Sequence, residues 1–138
     1  MDNIIIEKIY EDTDLMEIKI NVISKFVTAH QHCYTYSEGL ETHSDEIISY
    51  SKKIQEDYYA EFGEKEGNYT PAFSLKFLKA EANGHLKIEV DLEIDDNEER
   101  KHRCSCYIKT DLGSVERFGN ALRSLATSDV GVEIRLHD

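Results

Sequence analysis

Two short segments bring together side chains that bind metals: HQHC, with His30, His32 and Cys33, and HRCSC, with His102, Cys104 and Cys106. Imidazole nitrogen and thiolate sulfur are the usual donors of a tetrahedral zinc site. On a strand, residues two apart share a face, so His102, Cys104 and Cys106 could reach one ion. The same residues could form a Cys–His nucleophilic pair, which needs a partly exposed thiolate beside a base. The spacing favours a plainer reading. Cys104 and Cys106 continue the face that Ile108 occupies, and free cysteine packs as a small hydrophobe. His30 and His32 alternate with Cys33 and point the other way, and neither segment has zinc-ribbon spacing. A third constellation is Glu89, Asp91 and Glu93, whose two-residue steps place successive carboxylates roughly 6.6 Å apart along a strand. That separation would suit a general acid and base. Lys76 and Arg103 are expected beside this stripe, which fits a solvated charged face instead. There is no phosphate-cradling glycine loop, nucleophile elbow, HExxH motif or EF-hand loop. The residues therefore predict no catalytic group, no cofactor and no resident metal. The alternatives are a small metal- or ligand-binding domain built on the His and Cys residues and a generic structural or oligomerising module.

Charge is more informative. The chain has 138 residues, with 28 acids against 16 Lys and Arg, a net charge of −12. Phosphate binding needs an excess of Lys and Arg, so nucleic acid and anionic membrane surfaces are excluded as partners. The excess is uneven: residues 1–69 hold 15 acids and 6 bases, and residues 38–66 hold 9 acids and 3 bases. In this region Glu56, Asp57, Glu61, Glu64 and Glu66 interleave with Tyr58, Tyr59, Phe62 and Tyr69. Carboxylates steer a basic partner while aromatics supply buried area, so acid mixed with tyrosine suits a protein interface. The expected partner-binding residues are Glu56, Asp57, Tyr59, Glu61, Glu64 and Glu66, with Glu89, Asp91 and Glu93 as a second surface. An ordinary soluble acidic surface has the same composition.

No apolar run approaches the 18 or so residues of a spanning helix. The leading MDNIIIEKIYED has neither a basic stretch nor a small-residue cleavage site. Three cysteines are an odd number for a disulfide framework, so reduced thiols in the cytoplasm are expected. With 40% hydrophobic residues, a single domain over 1–138 can bury a core without staples.

The elements that must position these residues follow from hydrophobic periodicity. Ile4–Ile9 is a β-branched run. Met16, Ile18, Ile20 and Val22 alternate with polar residues, and an extended reading continues through Phe26 and Val27 into a strand over 29–36. A first helix is expected from an N-cap at Thr42 or Ser44, with Ile47, Tyr50, Ile54 and Tyr58 on its apolar stripe and a stop at Gly63. Residues 61–70 read as loop. Phe73, Leu75 and Phe77 then alternate, Asn83-Gly84 predicts a two-residue type I′ turn, and Leu86 to Ile94 alternate again. That turn would set Phe77 opposite Val90, Leu75 opposite Leu92, Phe73 opposite Ile94 and Lys76 opposite Asp91. Asp95–Lys101 reads as a turn, and His102–Thr110 as a strand. A second helix begins near Asp111, with Val115, Phe118, Leu122 and Leu125 on one face, and a last strand holds Val132, Ile134 and Leu136. This order predicts an α+β fold: a mostly antiparallel twisted sheet of about six strands with two main helices packed on one face.

The order of these motifs resembles a family of small bacterial proteins that includes WapI-like immunity proteins. The likeness rests on THSDEIISYSKKI, with Ser44-Asp45 and Tyr50; on FSLKFLKAEANGHLKIEVDLEI, with Gly84-His85 before a strand; and on CSCYIKTDLGSVERFGNALRSL, with Thr110-Asp111 and Phe118. It spans about residues 15–125. The resemblance implies a non-enzymatic, cytoplasmic protein, an inhibitor that occludes the cleft of a polymorphic toxin domain. A basic nuclease cleft would explain the acidic inhibitor. The expected partner is thus a basic toxin domain, bound by a monomer or homodimer. The family pattern includes no catalytic residue.

Overall fold

The computed structural model describes residues 2–13, 15–53, 56–63, 72–94 and 102–138. Among the described residues, eight strands form two antiparallel sheets of four, and two helices complete an α+β fold. The elements are β1 (Asn3–Glu11), β2 (Met16–Ile23), β3 (Thr28–Thr35), α1 (Ser37–Lys52), β4 (Tyr58–Phe62), β5 (Ala72–Phe77), β6 (His85–Ile94), β7 (His102–Asp111), α2 (Leu112–Thr127) and β8 (Glu133–Arg135). The first sheet runs β3-β2-β1-β8 and the second β4-β5-β6-β7. The expected single sheet is thus replaced by two. No described helix is long and apolar enough to cross a membrane.

Alternation explains most of the strands. Met16, Ile18, Ile20 and Val22 on β2 are buried, as are Leu86, Ile88, Val90 and Leu92 on β6. These side chains join Phe62, Phe73, Leu75 and Phe77 in one core with Leu40, Ile47, Phe118, Leu122 and Leu125 of the helices. The helices also pack on each other. Ser44 Oγ of α1 donates to the carbonyl of Gly119 on α2 at 2.7 Å. A Cβ at position 119 would meet Ile48 Cγ1 at 2.9 Å and Ile47 Cγ2 at 3.1 Å, so only glycine fits this close crossing.

Helix α1 differs from its expected bounds at both ends. It starts at Ser37 behind Tyr36, which gives no side-chain cap, so Ser44 is an internal contact residue and not the N-cap. It ends at Lys52, and Tyr58, placed by periodicity on its apolar stripe, belongs to β4. The reason is burial: Ala60 and Phe62 are fully buried two residues apart, a period that only a strand satisfies. The expected loop over 61–70 is therefore strand at Glu61 and Phe62, while Ile54, residues 64–70 and the Asp95–Lys101 turn lie outside the described residues.

The β2–β3 connection also departs from an unbroken extended run. Ser24 N–H donates to Val27 O at 2.8 Å, which turns the chain and leaves Phe26 87% exposed at the tip. In the β5–β6 hairpin, Gly84 N–H donates to Glu81 O at 2.9 Å, so Ala82 and Asn83 are the central turn residues. Gly84 alone takes positive φ, 84°, and Asn83 does not. This is a type I turn followed by a left-handed glycine, a three-residue connection in place of the expected two-residue one. One further residue is absorbed between Leu78 and Glu81, and the register moves by two. Phe77 faces Ile88, Leu75 faces Val90, Phe73 faces Leu92 and Lys76 faces Glu89. An even shift keeps every side chain on its expected face.

Candidate functional site

The outer face of the second sheet is built from the alternate residues of four strands. Across it, register aligns Tyr59, Lys76, Glu89 and Tyr107 in one row and Glu61, Ser74, Asp91 and Ser105 in the next, with Glu93 opposite Arg103 beyond them. The four strands span about 14 Å at about 4.8 Å per strand. The two surfaces expected to be separate are therefore partly one: Tyr59 and Glu61 share a face with Glu89, Asp91 and Glu93.

Hydrogen bonds organise this face. Arg103 forks onto Asp91, with Nε to Oδ1 at 3.0 Å and Nη2 to Oδ2 at 2.5 Å. The bidentate pairing fixes both groups, and the neighbouring carboxylate pushes the Arg103 pKa up. Asp91 is only 8% exposed, whereas Tyr59 and Tyr107 are 49% and 54% exposed. Tyr59 Oη donates to Glu61 Oε1 at 2.7 Å, and Tyr107 Oη lies 3.4 Å from Glu89 Oε2. Burial, followed by the Glu61 hydrogen bond, raises the Tyr59 pKa, so its hydroxyl stays protonated and available to donate. The result is a polar face with two tyrosine rings standing at its opposite edges. Asp91 is a buried brace within it, and Glu61, Glu89 and Glu93 are its partly exposed carboxylates, beside the cations Lys76 and Arg103.

The other expected residues lie elsewhere. Glu56 is exposed ahead of β4, and Asp57 Oδ1 accepts from the Lys79 N–H at 2.7 Å, tying β4 to the end of β5. Glu64 and Glu66 lie outside the described residues.

His43 of α1 holds β4 in place. Its Nε2 is 2.9 Å from Glu61 O, its Nδ1 is 3.3 Å from Tyr58 Oη, and its ring packs 4.5 Å from Phe62. Burial lowers its pKa, more than the Glu61 carbonyl raises it, so the neutral ring is favoured. Sequence spacing gave no sign of this residue, because its partners lie on β4, which pairs only with a strand beyond it. The period-two pattern of Tyr58–Phe62 was the available signal.

The expected metal and nucleophile residues are dispersed. Cys33 is buried on β3, and desolvation, with Glu17 adding to it, pushes its thiol up to about 12. His30 and His32 are exposed on the opposite face of that strand, His32 lying 3.4 Å from Glu17. Cys104 and Cys106 are half-buried on β7, and burial raises the Cys106 pKa too. The His102 side chain lies outside those described. Among the described residues, no three His, Cys, Asp or Glu side chains converge as a metal site.

Comparisons with protein-family models, curated proteins and solved structures find no match.

Proposed function

We propose that this chain is a non-enzymatic bacterial binding protein of the cytoplasm, an immunity-type inhibitor. Its outer β4-β5-β6-β7 face would dock on a basic toxin domain. The observation that carries the reading is the single face that joins Glu61, Glu89 and Glu93 to the half-exposed rings of Tyr59 and Tyr107. Carboxylates steer a basic cleft into place, and the tyrosines supply contact area with few rotatable bonds. A preformed sheet also avoids the entropy cost of ordering a loop on binding. Occlusion of the partner's cleft then needs no reaction on this chain. The net charge of −12 supports the same reading, since a nuclease cleft shaped for phosphates accepts an acidic surface in their place.

The test is co-expression with a toxin C-terminal domain encoded immediately upstream of this chain's gene. The two should co-purify, with an association rate that falls steeply as salt rises. The triple charge reversal Glu61→Lys, Glu89→Lys and Glu93→Lys should slow association by about tenfold or more and abolish protection. Unchanged binding by a folded triple variant would reject this face. A tight complex with a neutral or acidic domain would reject the electrostatic reading.

A further inference from the structure

The same sheet face reverses its charge toward the β5–β6 hairpin. One step beyond the Glu89–Tyr107 pair, Lys87 on β6 lies directly opposite Lys109 on β7. Like charges directly opposite on neighbouring strands repel, their Cβ atoms being only about 4.5–5.5 Å apart. The chain has 28 acids to choose from, yet among the described residues neither lysine forms an ion pair. Lys79, which follows β5, also lacks one.

All three lysines line one cleft of about 410 Å³, together with His85, Glu81, Thr110, Leu78 and Leu86. Three exposed lysines and one glutamate thus border a single concavity in a strongly acidic protein, with the Asp57 and Asp2 carboxylates held on the backbone N–H groups of Lys79 and Lys109. A directly opposed lysine pair in an acidic protein is a local inconsistency of the kind functional sites carry. Its natural relief is an anion.

We propose that this cleft binds a small phosphate-type oxyanion, with Lys79, Lys87 and Lys109 as its charge partners. Lysine ammonium groups are compact point charges with three rotatable donors, which suits a tetrahedral oxyanion approached from several sides. His85 adds a ring nitrogen, and the rotamers of three long stems allow convergence on one ligand. Leu78 gives the cleft an apolar wall, and its volume exceeds that of one phosphate. An organic group carrying the phosphate would use that wall. The site is independent of toxin docking and stands or falls separately from it.

The test is an NMR titration of the intact 15N-labelled chain with inorganic phosphate, pyrophosphate and ribose 5-phosphate, at constant ionic strength with chloride as the control. Saturable shifts are expected at Leu78, Lys79, His85, Lys87 and Lys109. Lys87→Gln and Lys109→Gln should each weaken binding by about tenfold, and Lys19→Gln on β2 should leave it unchanged. Tighter binding of ribose 5-phosphate than of phosphate would assign an organic ligand, and equal binding a free oxyanion. Absence of saturable shifts up to on the order of 10 mM would overturn the proposal. So would shifts spread equally over Lys19 and Lys52. Because the wild-type shift map is read first, the outcome does not depend on either variant folding.

Discussion

Lys8 Nζ donates to the Ser128 carbonyl at 2.7 Å, from a side chain with no exposed surface. The same ammonium lies 3.3 Å from Ala126 O and 3.2 Å from Glu11 Oε2. Strand β1 thereby caps the C-terminus of α2, where the last carbonyls lack helical partners and the helix dipole favours a cation. Lys8 reaches this place because Ile4, Ile6 and Lys8 share the inner face of β1 before a bulge between Lys8 and Tyr10.

Lys8→Met keeps the apolar stem and removes the donors. It should cost about 2–4 kcal/mol, since one buried and one part-buried carbonyl lose their charged partner. Equilibrium urea unfolding would show a lower midpoint with an unchanged slope. A stability loss under about 0.5 kcal/mol would mean that water satisfies those carbonyls.

Gly119→Val should open the α1–α2 crossing, because its side chain would overlap Ile47 and Ile48. The expected cost is about 1–3 kcal/mol from overpacking. Ser44→Ala at the same contact removes only the hydroxyl donor to Gly119 O, and should cost about 1 kcal/mol. Thermal melts of the two variants would rank them in that order.

Asp111 caps α2 by accepting the Ser114 N–H at 2.8 Å, a bond that holds its pKa below the ordinary 3.8. A depressed folded-state value means that the carboxylate stabilises the fold above the unfolded pKa. That contribution is lost as pH falls through the folded value. Asp111→Ala should therefore cost about 1 kcal/mol at pH 7 and progressively less below pH 3.8. Asp111→Asn, which keeps an acceptor, should lie close to the parent at pH 7. Denaturation curves at the two pH values measure the convergence.

His43 titrates below its ordinary 6.5 because it is buried against β4. Here the unfolded chain binds the proton first, so stability is complete above pH 6.5 and declines as pH falls toward the lowered folded value. His43→Gln should lack this step between neutral and mildly acid pH. Protection of the Tyr58–Phe62 amides, corrected for the intrinsic pH dependence of exchange, should fall over the same range in the parent and stay flat in the variant.

Local patterns were enough to read much of this chain from its sequence. Strand β2, strands β6 and β7, and helix α2 with its Asp111 cap depend on residues within a few positions of each other. Periodicity and capping therefore reveal them, and they fix which residues point outward. The alternation of Glu89, Asp91 and Glu93 with buried neighbours belongs to this group. What only the tertiary structure decided involves partners distant along the chain. Tyr58–Phe62 is too short to distinguish a strand from a helix end until β5 pairs with it. That pairing alone carries Tyr59 and Glu61 to the face of Glu89. The hairpin register turned on one residue of turn length and one residue absorbed beside it, neither of which alternation can sense. The burial of Lys8 and the opposition of Lys87 to Lys109 were likewise invisible. A side chain's charge is written in the sequence, but its electrostatic environment is set by which distant strand or helix end is packed beside it.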